Sequence, residues 1–393
     1  MKKFIIFLSI CIIGMFNIQP TIYVKADSGE NVEIKINQSI SDQLDNLDLS
    51  NLEDCLNDLT QFYNLDNTTS IKDVIKQISS GNYFSSYSSI FDSLINLVFN
   101  GVKKLLPLMF LIVGIAVVGS ILNTLKSSKS GAGVNDLIHF VCYASVVLLL
   151  SSSITGVIKN TGSVLNIMNS HISIIFPIML TLLTAVGGVA SVGIYRPIIA
   201  ILTSGIGTIY SKFLFPLFIL SFIFLIISNL SKNVKLTKSN TFISNLFKTV
   251  IGFSVTLFTA FLTIQGISAG KYDGISIKAT KFAVKSYIPI IGGFISDGFD
   301  LIMCSSVIIK NAIGVIGLLI IVGLIIQPMV QIILLRLVLQ LTSAILEPIS
   351  DGKISDFCMG CSKILIYPLV LILAVSFMYL LSIALIMTTA NIL

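Results

Sequence analysis

The side chains best able to do chemistry in this chain are ionisable groups set inside long apolar runs. Asp297 and Asp300 fall in the run from Tyr287 to Ile309, shortly after Gly292 and Gly293, and Lys310 follows it. Arg336 stands among apolar residues, with Gln327, Gln331 and Gln340 at about helical spacing around it. An ionisable group in lipid costs at least ~2.5–3.5 kcal/mol unless it pairs or meets water, so each is a candidate lining for a polar path. The two carboxylates could pair with Lys310 or Arg336. The alternative is that Gly292 to Asp300 is a short loop between a half-helix and the next span, with both carboxylates in solvent. For the stripe around Arg336 the spacing points to a protein interior or a water-filled cleft, with packing between helices as the plainer role.

Other reactive chemistry is poorly served. There is no Gly-rich phosphate loop and no HExxH, and the two histidines, His139 and His171, sit singly near the ends of apolar runs, where an interfacial role is expected. Cys358 and Cys361 form a CxxC, but no strand surrounds it and no second pair completes a zinc site, so packing is the expected role. The expectation is a protein that is not an enzyme and holds no cofactor. Any energy it needs must come from another protein.

The elements that carry these residues follow from composition. With 54% hydrophobic and 11% charged residues among 393, the chain departs from a soluble domain, where about a quarter of residues are charged. Residues 1–26 read as a signal peptide: Lys2 and Lys3, an apolar core from Phe4 to Met15, and Val24-Lys25-Ala26 for cleavage. Residues 27–101 hold 12 of the 19 acids and only Lys35, Lys72 and Lys76 as bases, which predicts a small extracytoplasmic helical region. Within it, Ser70 is placed to start a short helix that buries Ile71, Val74, Ile75 and Ile78, and another helix starts near Ser86. The bases of residues 102–393 lie singly or in small groups at the ends of apolar runs, so nucleic acid is an unsuitable partner and the lipid bilayer the natural one.

The expected fold is all-α: a polytopic α-helical membrane protein with seven to nine spans, some of them broken. Leu105–Leu125, Leu137–Val157, Ile172–Tyr195, Ile243–Ile267, Tyr287–Ile309 and Ile364–Thr388 are apolar runs of spanning length. Arg196-Pro197 should end the third. The stretch from Pro197 to Leu230, interrupted by Gly205 and Pro216, is either one kinked span or two short segments. Asn311–Leu346 is too long for one span and should break at Pro328. Lys278, Lys281 and Lys285 share one helical face, as on a helix lying at the headgroups. Pro177, Gly205 and Pro216 align with Pro289, Gly317 and Pro328 at a constant offset of 112 residues, which suggests a repeat, 172–268 and 284–388.

The segment KFAVKSYIPIIGGFISDGFD from Lys281, with SSVIIKNAIGVIG and QPMVQIILLRLVLQLTSAILEPISD after it, resembles the stage III sporulation protein AE family. The PIMLTLLTAVGG run from Pro177 is similar to that family too. The resemblance implies a membrane subunit of the stage III A complex, a transenvelope channel between mother cell and forespore needed for endospore development. It implies the mother-cell-derived membrane around the forespore as location, and the other stage III A proteins as partners: an ATPase, ring-forming proteins and further multi-pass subunits. No catalytic or substrate-binding residues come with it. A stand-alone secondary transporter for a small solute is the other reading.

Overall fold

Apolar runs that must satisfy every backbone N–H and C=O without water do so as helices. A computed structural model describes residues 30–54, 70–79, 87–125, 132–201, 205, 207–230, 236–287, 292–349 and 352–389, and no strand occurs among them. The signal-peptide segment, Pro289, and the side chains of His139, Gly292, Gly293 and Asp297 lie outside the described residues.

Two short helices come first, α1 (Glu30–Asn46) and α2 (Ile71–Ser79). Ile71, Val74 and Ile75 are buried as their spacing predicts, and so are Ile40, Leu44, Leu49 and Leu52. The body then runs α3 (Tyr87–Leu125), α4 (Ala132–Ala185) and α5 (Val189–Ala200). A helical turn at Gly207–Ile209 and a π-turn at Tyr210–Leu214 lead into α6 (Phe215–Leu230). After it come α7 (Thr237–Tyr287), α8 (Gly292–Leu346), α9 (Lys353–Ile364) and α10 (Ile366–Thr388).

Six stretches among the described residues are long and apolar enough to cross a membrane: Ile95–Leu122, Phe140–Ala185, Gly207–Asn229, Lys238–Ile264, Gly298–Leu346 and Lys353–Thr388. Some runs read as separate spans are joined in them. Leu137–Val157 and the first part of Ile172–Tyr195 lie on the single helix α4, and the residues on both sides of Lys310 lie on the single helix α8. The lysine-bearing helix expected at the headgroups continues α7.

Two breaks differ from expectation for identifiable reasons. The third run ends at Gly187-Gly188 rather than at Arg196-Pro197. Gly187 takes φ 91°, its N–H donates to Thr184 O, and the Gly188 N–H reaches back to Leu183 O, closing the helix with a left-handed glycine end. Pro197 lies inside α5. Pro328 does not break α8 either: it is buried, and enclosure by neighbouring helices outweighs the ~3 kcal/mol a proline costs inside a helix. Pro177 is likewise inside α4. The two readings for Pro197 to Leu230 turn on residues 202–204 and 206, which lie outside the described residues; Pro197 belongs to α5, and Gly207–Leu230 is helical. Pro216 follows the π-turn, where the Phe215 N–H bonds Tyr210 O, so the wide turn absorbs the geometry a proline would disturb.

The core is a spine of three helices. Asn160 meets Gln331, Ile175 meets Gly317 and Met179 meets Gly314, so α4 and α8 run antiparallel in constant register. On another side, Ser343 and Ser355 exchange hydroxyl bonds of 3.0 and 2.9 Å to each other's carbonyls, and Gly317 meets Ile383. Thus α9 and α10 fold back along α8 as far as Lys310, starting after Gly352, which has φ 76°. Every side chain of α8 from 305 to 332 is buried or half-buried.

At 1.5 Å per residue, α4 and α8 are each ~80 Å long against a hydrocarbon thickness of ~30 Å. The outward face of α4 changes character to match. Phe140, Val141 and Leu148 are exposed near its start, whereas Ser163, Asn166, Ser170, Ser173, Thr181 and Thr184 are exposed farther on, with Pro177 and Ala185 among them. Acyl chains suit the first part of that face, and water or polar protein suits the second.

Candidate functional site

Of the ionisable groups in the spine, Lys310 is the one the fold encloses completely. It has 0% exposed surface. An isolated ammonium in such a place would be prohibitively costly, so its surroundings must supply acceptors. They come from the end of α10: the Lys310 Nζ donates to Met387 O at 3.1 Å and to Thr389 O. The last carbonyls of a helix have no donors within it and carry its negative dipole end, which makes them natural partners for a cation.

A second helix reinforces this cap. The Tyr195 hydroxyl of α5 and the Thr389 Oγ1 lie 2.6 Å apart, and the Thr389 hydroxyl and N–H both reach Leu385 O, at 2.8 and 3.1 Å. One turn along α8, Gly314 lies so close to Met387 that a Cβ there would overlap it, and a Cβ on Gly317 would stand 2.8 Å from Ile175. Lys310, Gly314 and Gly317 therefore form one seam where α4, α8 and α10 meet. Its chemistry is that of a clamp: a buried cation with carbonyl acceptors holds the open end of the α8–α10 hairpin.

The other candidates are spread out. Asp300 is half-buried ten residues before Lys310, and Arg336 is half-buried twenty-six residues after it, or ~15 and ~39 Å along a helix. The Asp297 backbone lies in the first turns of α8, so the segment from Gly292 to Asp300 is helical and not the loop weighed above. The Arg336 Nε is buried without a hydrogen-bond partner among the described residues. Gln327 and Gln331 are half-buried, and Gln331 accepts from Asn160 Nδ2 at 2.9 Å, which ties α8 to α4. Gly205 is half-buried between α5 and the turn at Gly207–Ile209.

His171 corrects an expectation. It is 1% exposed and mid-helix in α4, and neither ring nitrogen has a hydrogen-bond partner among the described residues. Because α4 continues through both apolar runs, position 171 is no span end. Cys358 and Cys361 are buried on one face of α9 in the main core, beside Phe357, which meets Tyr143 edge-on at 5.2 Å. Among the described residues no group of three or more His, Cys, Asp or Glu gathers for a metal.

One contact escaped the sequence reading. The Ser39 and Ser305 hydroxyls lie 2.9 Å apart, the Gln43 Nε2 donates to Ser305 Oγ at 2.6 Å, and the Ser306 hydroxyl donates to Gln43 Oε1 at 2.8 Å. These bonds seat α1 on α8 close to Asp300. The hint was the pair Ser305-Ser306 inside an apolar run, though nothing local named its partner.

The comparisons with known proteins agree on one family. The family model for stage III sporulation protein AE matches residues 69–390. The stage III sporulation protein AE of Bacillus subtilis (strain 168) is 27% identical over 271 residues, covering 69% of this chain and 68% of that protein. No solved structure matches. The family match takes in the whole spine from α3 to the Lys310 clamp, so this membrane protein belongs to the stage III sporulation protein AE family and its role is in sporulation.

Proposed function

We propose that this protein is the integral membrane subunit of the stage III A transenvelope channel, a secretion complex between mother cell and forespore that endospore development requires. In this reading residues 1–26 direct export and residues 27–101 lie outside the cytoplasm. The body sits in the mother-cell-derived membrane around the forespore, beside the ATPase, ring-forming and multi-pass subunits of the complex. The subunit is not an enzyme.

Family membership supports the role in sporulation. The observation that carries the rest is the layout of polar groups on α8: Asp300, Lys310 and Arg336 are strung over ~54 Å of one helix. A solute carrier gathers such groups at one site near the bilayer midplane. Here one cation closes a helix end, one glutamine ties two helices, and one end seats α1. That arrangement suits a rigid part of an assembly.

The test is sporulation and forespore gene expression in cells carrying Asp297→Asn, Asp300→Asn or Arg336→Gln, with membrane levels checked by blotting. A tagged copy is purified in parallel. The expected result is forespore expression near normal in all three and co-purification of the other stage III A proteins. Failure to co-purify, or solute uptake by vesicles holding this chain alone and lost with Arg336→Gln, would overturn the reading in favour of a carrier.

A further inference from the structure

Side chains that meet between helices fix one cross-section of the bundle. Gly101 of α3 lies against Leu334 of α8, Asn160 of α4 bonds Gln331 of α8 at 2.9 Å, and Gly162 of α4 faces Phe215 of α6. The Tyr367 ring of α10 is 4.6 Å from that of Phe247 on α7 and 6.4 Å from that of Phe218 on α6. Counted back along the antiparallel pair from the contact of Gly317 with Ile383, Tyr367 falls beside Ile333.

Seven bases lie within four residues of those positions, or ~6 Å along a helix: Lys103, Lys104, Lys159, Lys212, Lys248, Arg336 and Lys363. Arg336 is half-buried and the lysines are exposed. No acid stands within six residues of any of them in sequence, and none makes an ion pair among the described residues. The cross-section is thus a belt of cations whose counter-charges must come from outside the chain.

The two sides of the belt name that source. Toward the end of α3, the start of α4 and the end of α6, residues 105–125, 137–158 and 213–230 contain no Asp, Glu, Lys or Arg. These runs measure ~27–33 Å, which matches a hydrocarbon layer of ~30 Å. Every exposed position from Pro107 to Leu122, from Pro216 to Ile227 and from Leu337 to Ala344 is apolar. Beyond the belt the outward face of α4 turns polar, with Ser163, Asn166, Ser170 and Ser173 exposed, and α8 is enclosed by protein from 305 to 332. There α3 is mixed, with Asn96 and Asn100 beside Val98 and Phe99. α7 is the exception on both sides, with Thr241 and Asn245 outward toward the apolar end and Phe253 and Leu257 outward beyond the belt, so it does not place the layer.

We propose that one headgroup layer of the bilayer crosses the bundle at this belt, with lipid phosphates meeting the lysines, whose apolar stems lie along the hydrocarbon edge. Hydrocarbon then covers only the half of the bundle toward the end of α3. The half that carries α1, α2 and the Lys310 clamp stands in water beyond the membrane, where α4 alone runs ~39 Å past Lys159. The placement holds whichever side of the membrane that half occupies and whatever it assembles with.

The chain has no tryptophan, so one introduced residue reports its own depth. The full chain, carrying a single tryptophan, is reconstituted alone in phosphatidylcholine vesicles whose acyl chains are brominated either near the headgroup or near the chain end. Phe110→Trp and Leu220→Trp should lose most of their fluorescence to the brominated lipids. Asn100→Trp, beside the belt, should be quenched more by bromine near the headgroup than by bromine near the chain end. Ser173→Trp and Phe299→Trp should be untouched by either lipid and quenched by acrylamide in the water. All five sites are exposed, and thermal unfolding of each variant checks that it is folded. Quenching of Ser173→Trp and Phe299→Trp by lipid as strong as that of Phe110→Trp would overturn the proposal. So would Phe110→Trp and Leu220→Trp untouched by lipid, or Asn100→Trp quenched best from the chain end.

Discussion

A lysine without exposed surface persists in an apolar bundle only where acceptors replace the water it has lost. Lys310 meets that condition through the Met387 and Thr389 carbonyls, so its replacement acts twice, removing the donor and leaving the end of α10 uncapped. Lys310→Met should destabilise the detergent-solubilised protein by about 2–3 kcal/mol, the scale of a buried charged hydrogen bond, read as a lower unfolding midpoint. Lys310→Arg should recover little, because a larger guanidinium would have to fit a site with no exposed surface. His171 is the opposite case, a buried polar ring whose nitrogens find no partner among the described residues. His171→Leu should therefore be neutral or raise the unfolding midpoint slightly, by up to about 1 kcal/mol. A drop in forespore expression at normal protein levels would show instead that the imidazole works on something outside this chain.

At the scale of elements, the close approach of α8 to α10 rests on glycine. Gly314→Leu should cost about 1–3 kcal/mol by overpacking against Met387. Pairing Gly314→Leu with Met387→Ala should restore part of the loss, and thermal unfolding of the four members of that cycle gives the coupling. The sequence made some elements legible and hid others. Ser70 through Ile78 was readable because start signal and apolar spacing agreed within nine residues, and α2 lies there with Ile71, Val74 and Ile75 inward. The end of α4 was misplaced because Arg196-Pro197 looks like a stronger stop than Gly187-Gly188, although only the glycine pair can adopt the left-handed end. Pro328 misled for the converse reason. Its local cost is real, but enclosure by partners distant in sequence decides the outcome.

At the scale of the whole molecule, the bonds from Ser39 and Gln43 to Ser305 and Ser306 join positions some 260 residues apart, which no local period could announce. Gln43→Ala with Ser39→Ala should release α1 and speed its cleavage in limited proteolysis, leaving α8 and α10 protected. The α1–α2 contact responds to acid differently. The hydrogen bond from Lys72, 2.7 Å from Asp45, and then its charge hold the Asp45 carboxyl below the ordinary 3.8. A depressed folded value means that the pair's small stabilisation is complete above about pH 4 and is lost as pH falls through that lower value. Proteolysis of this region should thus be flat from pH 8 to 5 and rise only below about pH 4, whereas the uncharged bonds of Gln43 should not titrate at all. The same remoteness in sequence explains why the Lys310 clamp was not foreseen: Lys310 was read beside the nearby carboxylates, yet its acceptors lie 77 and 79 residues on.

That spacing has a meaning in time. At a synthesis rate of roughly 5–20 residues per second, about 4–16 s separate the making of Lys310 from that of the carbonyls it will hold. For those seconds α8 is in or at the membrane with its ammonium uncapped, and the helix has reason to stay near the interface or in the care of the insertion machinery. The spine closes only when Met387 and Thr389 arrive, so a ribosome that stalls between the two leaves a product marked for removal by an unsatisfied charge.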